Sequence, residues 1–410
     1  MDKLLITLRH PGPADAILAS MPELSKNFSI SMIVTDSAIN ILKERFPQYL
    51  EKYNIYFPGK FIEDGFSTEI ITDHFKTEFK PTENVEYEQF YNAVLKLVKV
   101  INPDISLRTT PAYNWGIDEI MPRIMKDIDK YDYTFCFQEY YGVGKALSNF
   151  ENSIASLSAK NLLTVDKASV NFLQERGIKA IDIGWISHKK FKYIDKFDEV
   201  RKKVRKRFKL ENHKVIMYSV VCCGSILAEV NHFEKFVKCM EKITIINNNI
   251  TLLIKYHPRN NIDEIKLYRD IIQKYNVRFT EVDSKISYNE ILTLPDIIYS
   301  AASNMNIDLL AYQYANDIYE DISKHVISVY SYDNFTRDIL NNATGKSIIP
   351  SHTNNGGHVL VNDENMKMTF EKILSDEGTF KKSTRTAYDN FNGMHYGNKN
   401  LTTSILKLMG

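Results

Sequence analysis

The feature that most constrains this chain is a rhythm of short apolar runs separated by longer stretches with helical spacing, begun near the first residue and begun again at Lys214. Residues 3–7, 29–34, 104–108, 134–137, 161–165 and 180–183 have the length and composition of buried strands. Between them, residues 38–46 and 166–177 carry apolar side chains at helical spacing, the second stretch ending on Gly177, where a helix C-cap favours glycine. Parallel neighbours need a crossover, and a helix is the usual one, so this alternation predicts a parallel sheet. The rhythm restarts with VIMYSVV at 215–221, a helix-like 230–246, and strands at 250–256, 296–300 and 325–330. The expected fold class is α/β, with two doubly wound, Rossmann-like domains.

Length supports two domains, since 410 residues exceed one average domain. Residues 1–188 are expected to form the first, 189–212 a basic interdomain connection, 213–382 the second, and 383–410 a helical segment closing on LTTSILKLM. The sequence 189–213 is strongly basic; it reads as the connection plus a solvated helix, with Phe197, Val200, Val204 and Phe208 spaced as a docked apolar stripe. Clustered Lys and Arg also suit anionic lipid or nucleic acid, although Asp195, Asp198 and Glu199 dilute the charge.

Over the whole chain 52 Lys and Arg oppose 51 Asp and Glu, so no global field draws in nucleic acid or an anionic bilayer, and any anion site must be local. No nucleic-acid partner is expected. Cys136, Cys222, Cys223 and Cys239 form no CxxC, and the first residues run straight into a strand, which fits a reducing cytoplasm. The apolar runs fall short of the roughly 20 residues a membrane span needs, so membrane contact is expected to be peripheral at most, at the inner face.

The sharpest local signal is KYHPRNN at 255–261, where a strand ends. Ligands of open α/β sheets bind beyond the carboxyl ends of strands, which places Lys255, His257, Pro258 and Arg259 at the expected mouth, with His257 able to donate to a phosphate oxygen. A capping histidine in an ordinary turn is the other reading. One crossover later DIIYS runs into AASNMNIDLLAY: Ser300 and Ser303 sit at a strand end, and the residues from Asn304 onward open a helix whose first N–H groups and dipole favour an anion. Ser303 then acts as N-cap, phosphate contact, or both. Asp308 can accept from ribose hydroxyls or complement the dipole. Gly224 and Ser225 close a small-residue turn that lets a phosphate lie near.

These elements together resemble nucleotide-sugar glycosyltransferases of the GT-B fold. KYHP at a strand end followed by a serine-rich strand-to-helix turn is similar to the HP and serine motifs of bacterial sialyltransferases and capsule polysaccharide transferases, and the Ser303–Asp308 spacing resembles that of UDP-N-acetylglucosamine 2-epimerases. The resemblance implies two Rossmann-like domains facing a cleft, the first on the acceptor side and the second holding the donor through the residues just named. It implies an inverting, metal-independent enzyme with no cofactor, passing a sugar, a CMP-activated acidic sugar by preference, to a surface glycan or glycoprotein. The alternatives are a nucleotide-sugar 2-epimerase or hydrolase, and a non-catalytic nucleotide- or glycan-binding protein. Where the epimerases carry glycines after the serine, this chain has Asn304, Met305 and Asn306.

An inverting transferase needs a base for the acceptor hydroxyl. Glu139 in QEYYGVG and Asp15 in RHPGPAD rank ahead of Asp64 in Glu63-Asp64-Gly65; Asp376-Glu377-Gly378 falls after the HP and serine elements. His10, Thr110, Tyr113, Trp115 and Tyr140 are the candidate acceptor contacts, and the Thr109–Trp115 loop suits carbohydrate through its hydroxyl and aromatic groups. The DxD at 127–129 lies in a charged helix-like stretch before a strand and reads as a solvated face; His352 and His358 lack metal-ligand spacing, so no metal is expected.

Overall fold

A computed structural model describes residues 1–59, 62–70, 84–109, 116–137, 160–164, 167–175, 177, 179–184, 186, 196–221, 225–257, 260–282, 286–303, 305–315, 321–344, 358–390 and 401–409. The chain divides into two compact units, Met1–Lys190 with Gly393–Gly410, and Phe191–Asn392.

The first unit is built on an eight-stranded sheet: β1 (Asp2–Leu8), β2 (Phe28–Val34), β3 (Asn54–Pro58), β4 (Phe66–Ser67), β5 (Ile105–Thr109), β6 (Thr134–Phe137), β7 (Asn161–Thr164) and β8 (Lys179–Asp182). Their order is β4-β3-β2-β1-β5-β6-β7-β8. All neighbours are parallel except β3 and β4. Strands β1, β2 and β5 are almost continuous apolar runs because both faces are covered, as a parallel sheet requires. One face packs on helices Asn84–Ile101 and Ile117–Asp127, whose Phe90, Val94, Val98, Ile120 and Ile124 join Leu5 and Ile33 in one cluster. The terminal helix Leu401–Met409 returns to this unit, burying Leu401 and Ile405.

The second unit carries β9 (Lys214–Ser219), β10 (Ile250–Lys255), β11 (Phe279–Glu281), β12 (Ile297–Ser300), β13 (Ile327–Ser331) and β14 (Val359–Val361), all parallel, in the order β11-β10-β9-β12-β13-β14. Helix Ile226–Thr244 covers one face: Phe233, Phe236, Val237 and Met240 pack on Ile216, Tyr218, Leu252, Ile254, Ile297 and Tyr299. At 25 cal/mol per Å2, each such fully buried aromatic contributes on the order of 2–3 kcal/mol. The alternating pleat turns the partners of these residues, Ser219, Lys255 and Ser300, to the opposite face.

Helix Phe197–Arg207 docks along the side of its apolar stripe and is solvated along the other. Phe197 and Val204 are buried, and Arg201 and Arg205 both reach Asp296, Arg201 Nη2 donating to Oδ1 at 2.7 Å. Arg205 also donates to the Leu294 carbonyl, and the Val215 N–H donates to Asp296 Oδ2. Burial alone would raise the Asp296 carboxyl, yet the charges of Arg205, Arg201 and Lys214 hold it below the usual range. Asp296, expected inside a strand, thus precedes β12 and fixes the helix to the amino ends of β9 and β12.

Candidate functional site

In the second unit the chain winds outward from β9 through β10 to β11 and then crosses back to β12 on the other side of β9, so the winding reverses between β9 and β12. Such a switch point leaves a crevice beyond the carboxyl ends of the two strands. Ser219 ends β9, Lys255 is its register partner at the end of β10, and Ser300 ends β12. Ser219 Oγ lies 3.0 Å from Ser303 Oγ, so a hydroxyl pair closes the gap across the switch point.

A buried polar network sets the position of Ser303. Ser300 Oγ donates to Asn306 Oδ1 at 2.8 Å and accepts the Ser303 N–H at 3.3 Å. Asn306, fully buried in the first turn of helix Met305–Ala315, donates through Nδ2 to Ser328 Oγ and the Val329 carbonyl. The Ser328 hydroxyl is 2.8 Å from His358 Nδ1, and the Tyr330 hydroxyl donates to the Ser303 carbonyl. Ser303 Oγ accepts from Met305 N, so it does cap the helix start. Satisfied networks of this kind rigidify what they hold, because every lost partner leaves a desolvated polar group behind.

The cation here is Lys255. Its Nζ lies 5.8 Å from the Tyr288 ring centroid, and the Tyr288 hydroxyl donates to Asp308 Oδ2 at 2.8 Å. Burial pushes the Lys255 ammonium below its ordinary value, while the Asp308 charge acts in the other direction. A half-desolvated ammonium, two strand-end hydroxyls and the first turn of a helix form a set that can take an anion.

His257 is half-buried one residue past Tyr256; its N–H donates to Asn260 Oδ1, and Asn260 N returns to its carbonyl. This turn leads into helix Ile262–Lys274 through a capping box between Asn261 and Glu264. Ser225 is exposed and precedes helix Ile226–Thr244 without a side-chain capping bond. Pro258, Arg259, Asn304 and Gly224 lie outside the described residues.

Two further groups surround the turn after β9. Glu229, buried in the first turn of helix Ile226–Thr244, accepts the Val221 N–H at 2.6 Å, and burial pushes its carboxyl up to about 8. His232, one turn on, places Nδ1 2.7 Å from Asp333 Oδ2 and Nε2 3.1 Å from the Tyr299 hydroxyl. Burial would raise the Asp333 carboxyl, but His232 and the Thr336 N–H hold it well below the usual range.

In the first unit, Asp15 is buried in helix Pro11–Leu24 with its carboxylate engaged by Arg45. His10 is buried just ahead of that helix, and Asp64 is exposed in the turn before β4. Glu139, Tyr140, Thr110, Tyr113 and Trp115 lie outside the described residues. Beside His10, Arg9 is fully buried and its Nε donates to Asp36 Oδ2 at 3.0 Å, at the carboxyl ends of β1 and β2. Thr35 Oγ1 donates to the same oxygen. Arg108, also buried, stands opposite Thr7 near the end of β5.

Lys255, Ser300, Ser303 and Asp308, named from sequence, therefore fall together, and the structure adds Ser219, Tyr288 and Asn306. Ser219 carried a signal: it is the polar residue in VIMYSVV at the strand position that Lys255 and Ser300 occupy in theirs. Tyr288 and Asn306 carried none, since their partners lie 20 and 22 residues away.

No protein-family model matches the chain, and none of the curated proteins matches it either. Among solved structures, UDP-GlcNAc 2-epimerase from Neisseria meningitidis bound to UDP-GlcNAc is similar over 100% of this chain and 99% of its own, with 14% identity and a TM-score of 0.62. A glycosyltransferase from Rickettsia africae matches over 99% of both chains at 14% identity and a TM-score of 0.60. A UDP-forming trehalose-phosphate synthase from Burkholderia xenovorans matches over 100% of this chain and 98% of its own at 12% identity and a TM-score of 0.57. At these identities the likeness concerns architecture, and the architecture common to all three is the one this chain has: the GT-B fold.

Proposed function

We propose that the chain is a nucleotide-sugar enzyme, and in particular a glycosyltransferase that takes its donor at the carboxyl edge of the second sheet. One observation carries the reading: Lys255, Ser219 and Ser303 converge at the switch point, beside the first turn of helix Met305–Ala315. Lys255 and the two hydroxyls meet the phosphate that becomes the leaving group, and His257 stands at the same edge as a further donor. In the transfer the acceptor oxygen bonds to the anomeric carbon, and the bond from that carbon to the phosphate oxygen breaks. The electron pair goes to the nucleotide, where the ammonium and helix N-terminus balance the growing charge. The acceptor proton goes to a carboxylate of the first unit. Since Asp15 is tied to Arg45, Glu139 is the preferred base, with Asp64 behind it. The acceptor itself is a glycan or glycoconjugate.

The epimerase reading shares this donor site and draws on the likeness to two-epimerase structures, one bound to UDP-GlcNAc. The test is a thermal-shift panel of CMP, CDP, UDP, GDP and their sugars, followed by turnover of whichever sugar stabilises the chain. Release of nucleotide only when a glycan acceptor is added supports the transferase. Conversion of the sugar nucleotide without acceptor replaces it with the epimerase or hydrolase, and stabilisation without any turnover points to a binding protein. No stabilisation by any nucleotide overturns the donor site.

A further inference from the structure

Helix Phe197–Arg207 spends its basic residues in two ways. Arg201 and Arg205 turn inward to Asp296 and the carbonyls of Leu294 and Pro295. Lys202, Lys203, Lys206 and Lys209 are exposed, and among the described residues none of the four joins an ion pair. Of the acids that dilute the charge in the sequence, Asp198 and Glu199 sit at the other end of the helix and are engaged, Asp198 with Lys324 and Glu199 with Lys196; Asp195 lies outside the described residues. Folding therefore separates a stretch of mixed charge into a paired amino-terminal turn and a ridge of cations facing solvent. Nearby, Lys214 and Lys381 share the single carboxylate of Glu377, and Glu211 is the adjacent exposed acid of the same segment.

We infer that this ridge docks the chain on an anionic lipid surface. Lys202, Lys203 and Lys206 on the exposed helix surface, with Lys209 just past its end, present their cations to a plane, and each Lys near a negatively charged bilayer strengthens adsorption about fivefold. Nucleic acid fits less well: Phe197 is buried and Phe208 half-buried under Arg207, so among the described residues of this segment no exposed ring stands beside the lysines to stack a base. The ridge lies at the amino ends of β9 and β12, where Arg205 meets the carbonyls of His213 and Leu294. Adsorption there leaves the carboxyl edge of the same sheet, with Ser219 and Ser303, uncovered.

The test is co-sedimentation of the full chain with vesicles of phosphatidylcholine alone or mixed with phosphatidylglycerol. It is repeated with K202Q, K203Q, K206Q and K209Q combined, and with K26Q, K43Q, K99Q and K126Q combined, which change net charge equally from exposed positions of the first unit. Binding to the anionic vesicles alone is expected, reversed by salt well above physiological strength. It should fall several hundredfold in the ridge variant and little in the other, both variants keeping the parent's circular dichroism and thermal midpoint. Equal binding to neutral vesicles, no binding, or equal loss in the two variants overturns the inference. So does a single-stranded RNA that binds the ridge at a salt concentration that releases the vesicles.

Discussion

The two sheets share a winding pattern but furnish their carboxyl edges with opposite chemistry. At the end of β1 and β2 the first unit buries charge, Arg9 against Asp36, with Asp15 and Arg45 paired close by in sequence. At the end of β9 and β12 the second unit buries neutral hydroxyls and an amide, and admits one partly desolvated ammonium, Lys255. The first arrangement is self-neutralising and its directions are fixed by ion pairs. The second sets the Lys255 ammonium beside the Tyr288 ring and within the field of the Asp308 carboxylate. The comparison teaches that a common backbone geometry takes on different chemistry through the few residues at the strand ends.

Breaking the first edge should have the largest effect. Arg9→Leu leaves the Asp36 carboxylate buried without its guanidinium, and a loss of about 3–5 kcal/mol is expected. Both tryptophans of the chain, Trp115 and Trp185, belong to the first unit, so urea unfolding followed by tryptophan fluorescence isolates this loss. If the fluorescence midpoint stays put, the pair is not what holds this edge.

Next comes Glu229, buried in the first turn of helix Ile226–Thr244. Burial raises its folded value to about 8 from an ordinary 4.5, so the folded state binds the extra proton between these values. Its contribution is complete below the unfolded value and is lost as pH rises toward the folded one, on the order of 3 kcal/mol between pH 5 and pH 8. Glu229→Gln should flatten that slope in the far-ultraviolet dichroism melt of the second unit. An unchanged slope would mean that another group sets it.

Lys255→Met should weaken binding of the nucleotide that stabilises the parent by about thirtyfold, the equivalent of about 2 kcal/mol for a hydrogen bond to a charged group. Without ligand the variant should melt no lower than the parent, since a buried ammonium is removed. Calorimetric titration and a melting curve read the two halves, and a drop in stability with intact affinity would assign Lys255 to the scaffold. The smallest effect belongs to Ser219→Ala, which removes one of two facing hydroxyls and should reduce affinity about fivefold, near 1 kcal/mol. Equal affinity would leave Ser303 as the only hydroxyl that matters at the switch point.

Much of this was legible in the sequence because strand ends are local. The alternation of apolar runs located β1, β2, β5 to β10, β12 and β13, and the rule that ligands sit at carboxyl ends then picked Lys255, Ser300 and Ser303. Strands β3, β4, β11 and β14 escaped notice: the last three have two or three residues and are partly exposed, too short for a period to register, and β3 is a five-residue run that ends on Pro58. The pairings that shape the edges escaped for a different reason. Ser219 and Ser303 are 84 residues apart, Arg9 and Asp36 27, Arg201 and Asp296 95, and nothing in a one-dimensional pattern marks such partners. The basic stretch showed the same limit, because only the fold decides which cations turn inward.

The return of helix Leu401–Met409 to the first unit makes that unit discontinuous, with the whole of Phe191–Asn392 inserted between its pieces. During synthesis the second unit can complete its fold as one uninterrupted segment. The first must wait, its groove beside helix Pro11–Leu24 unfilled until Leu401 and Ile405 emerge. Stopping translation after residue 392 should therefore release a chain whose second unit is finished and whose first still lacks its final staple, although the first unit was begun earlier.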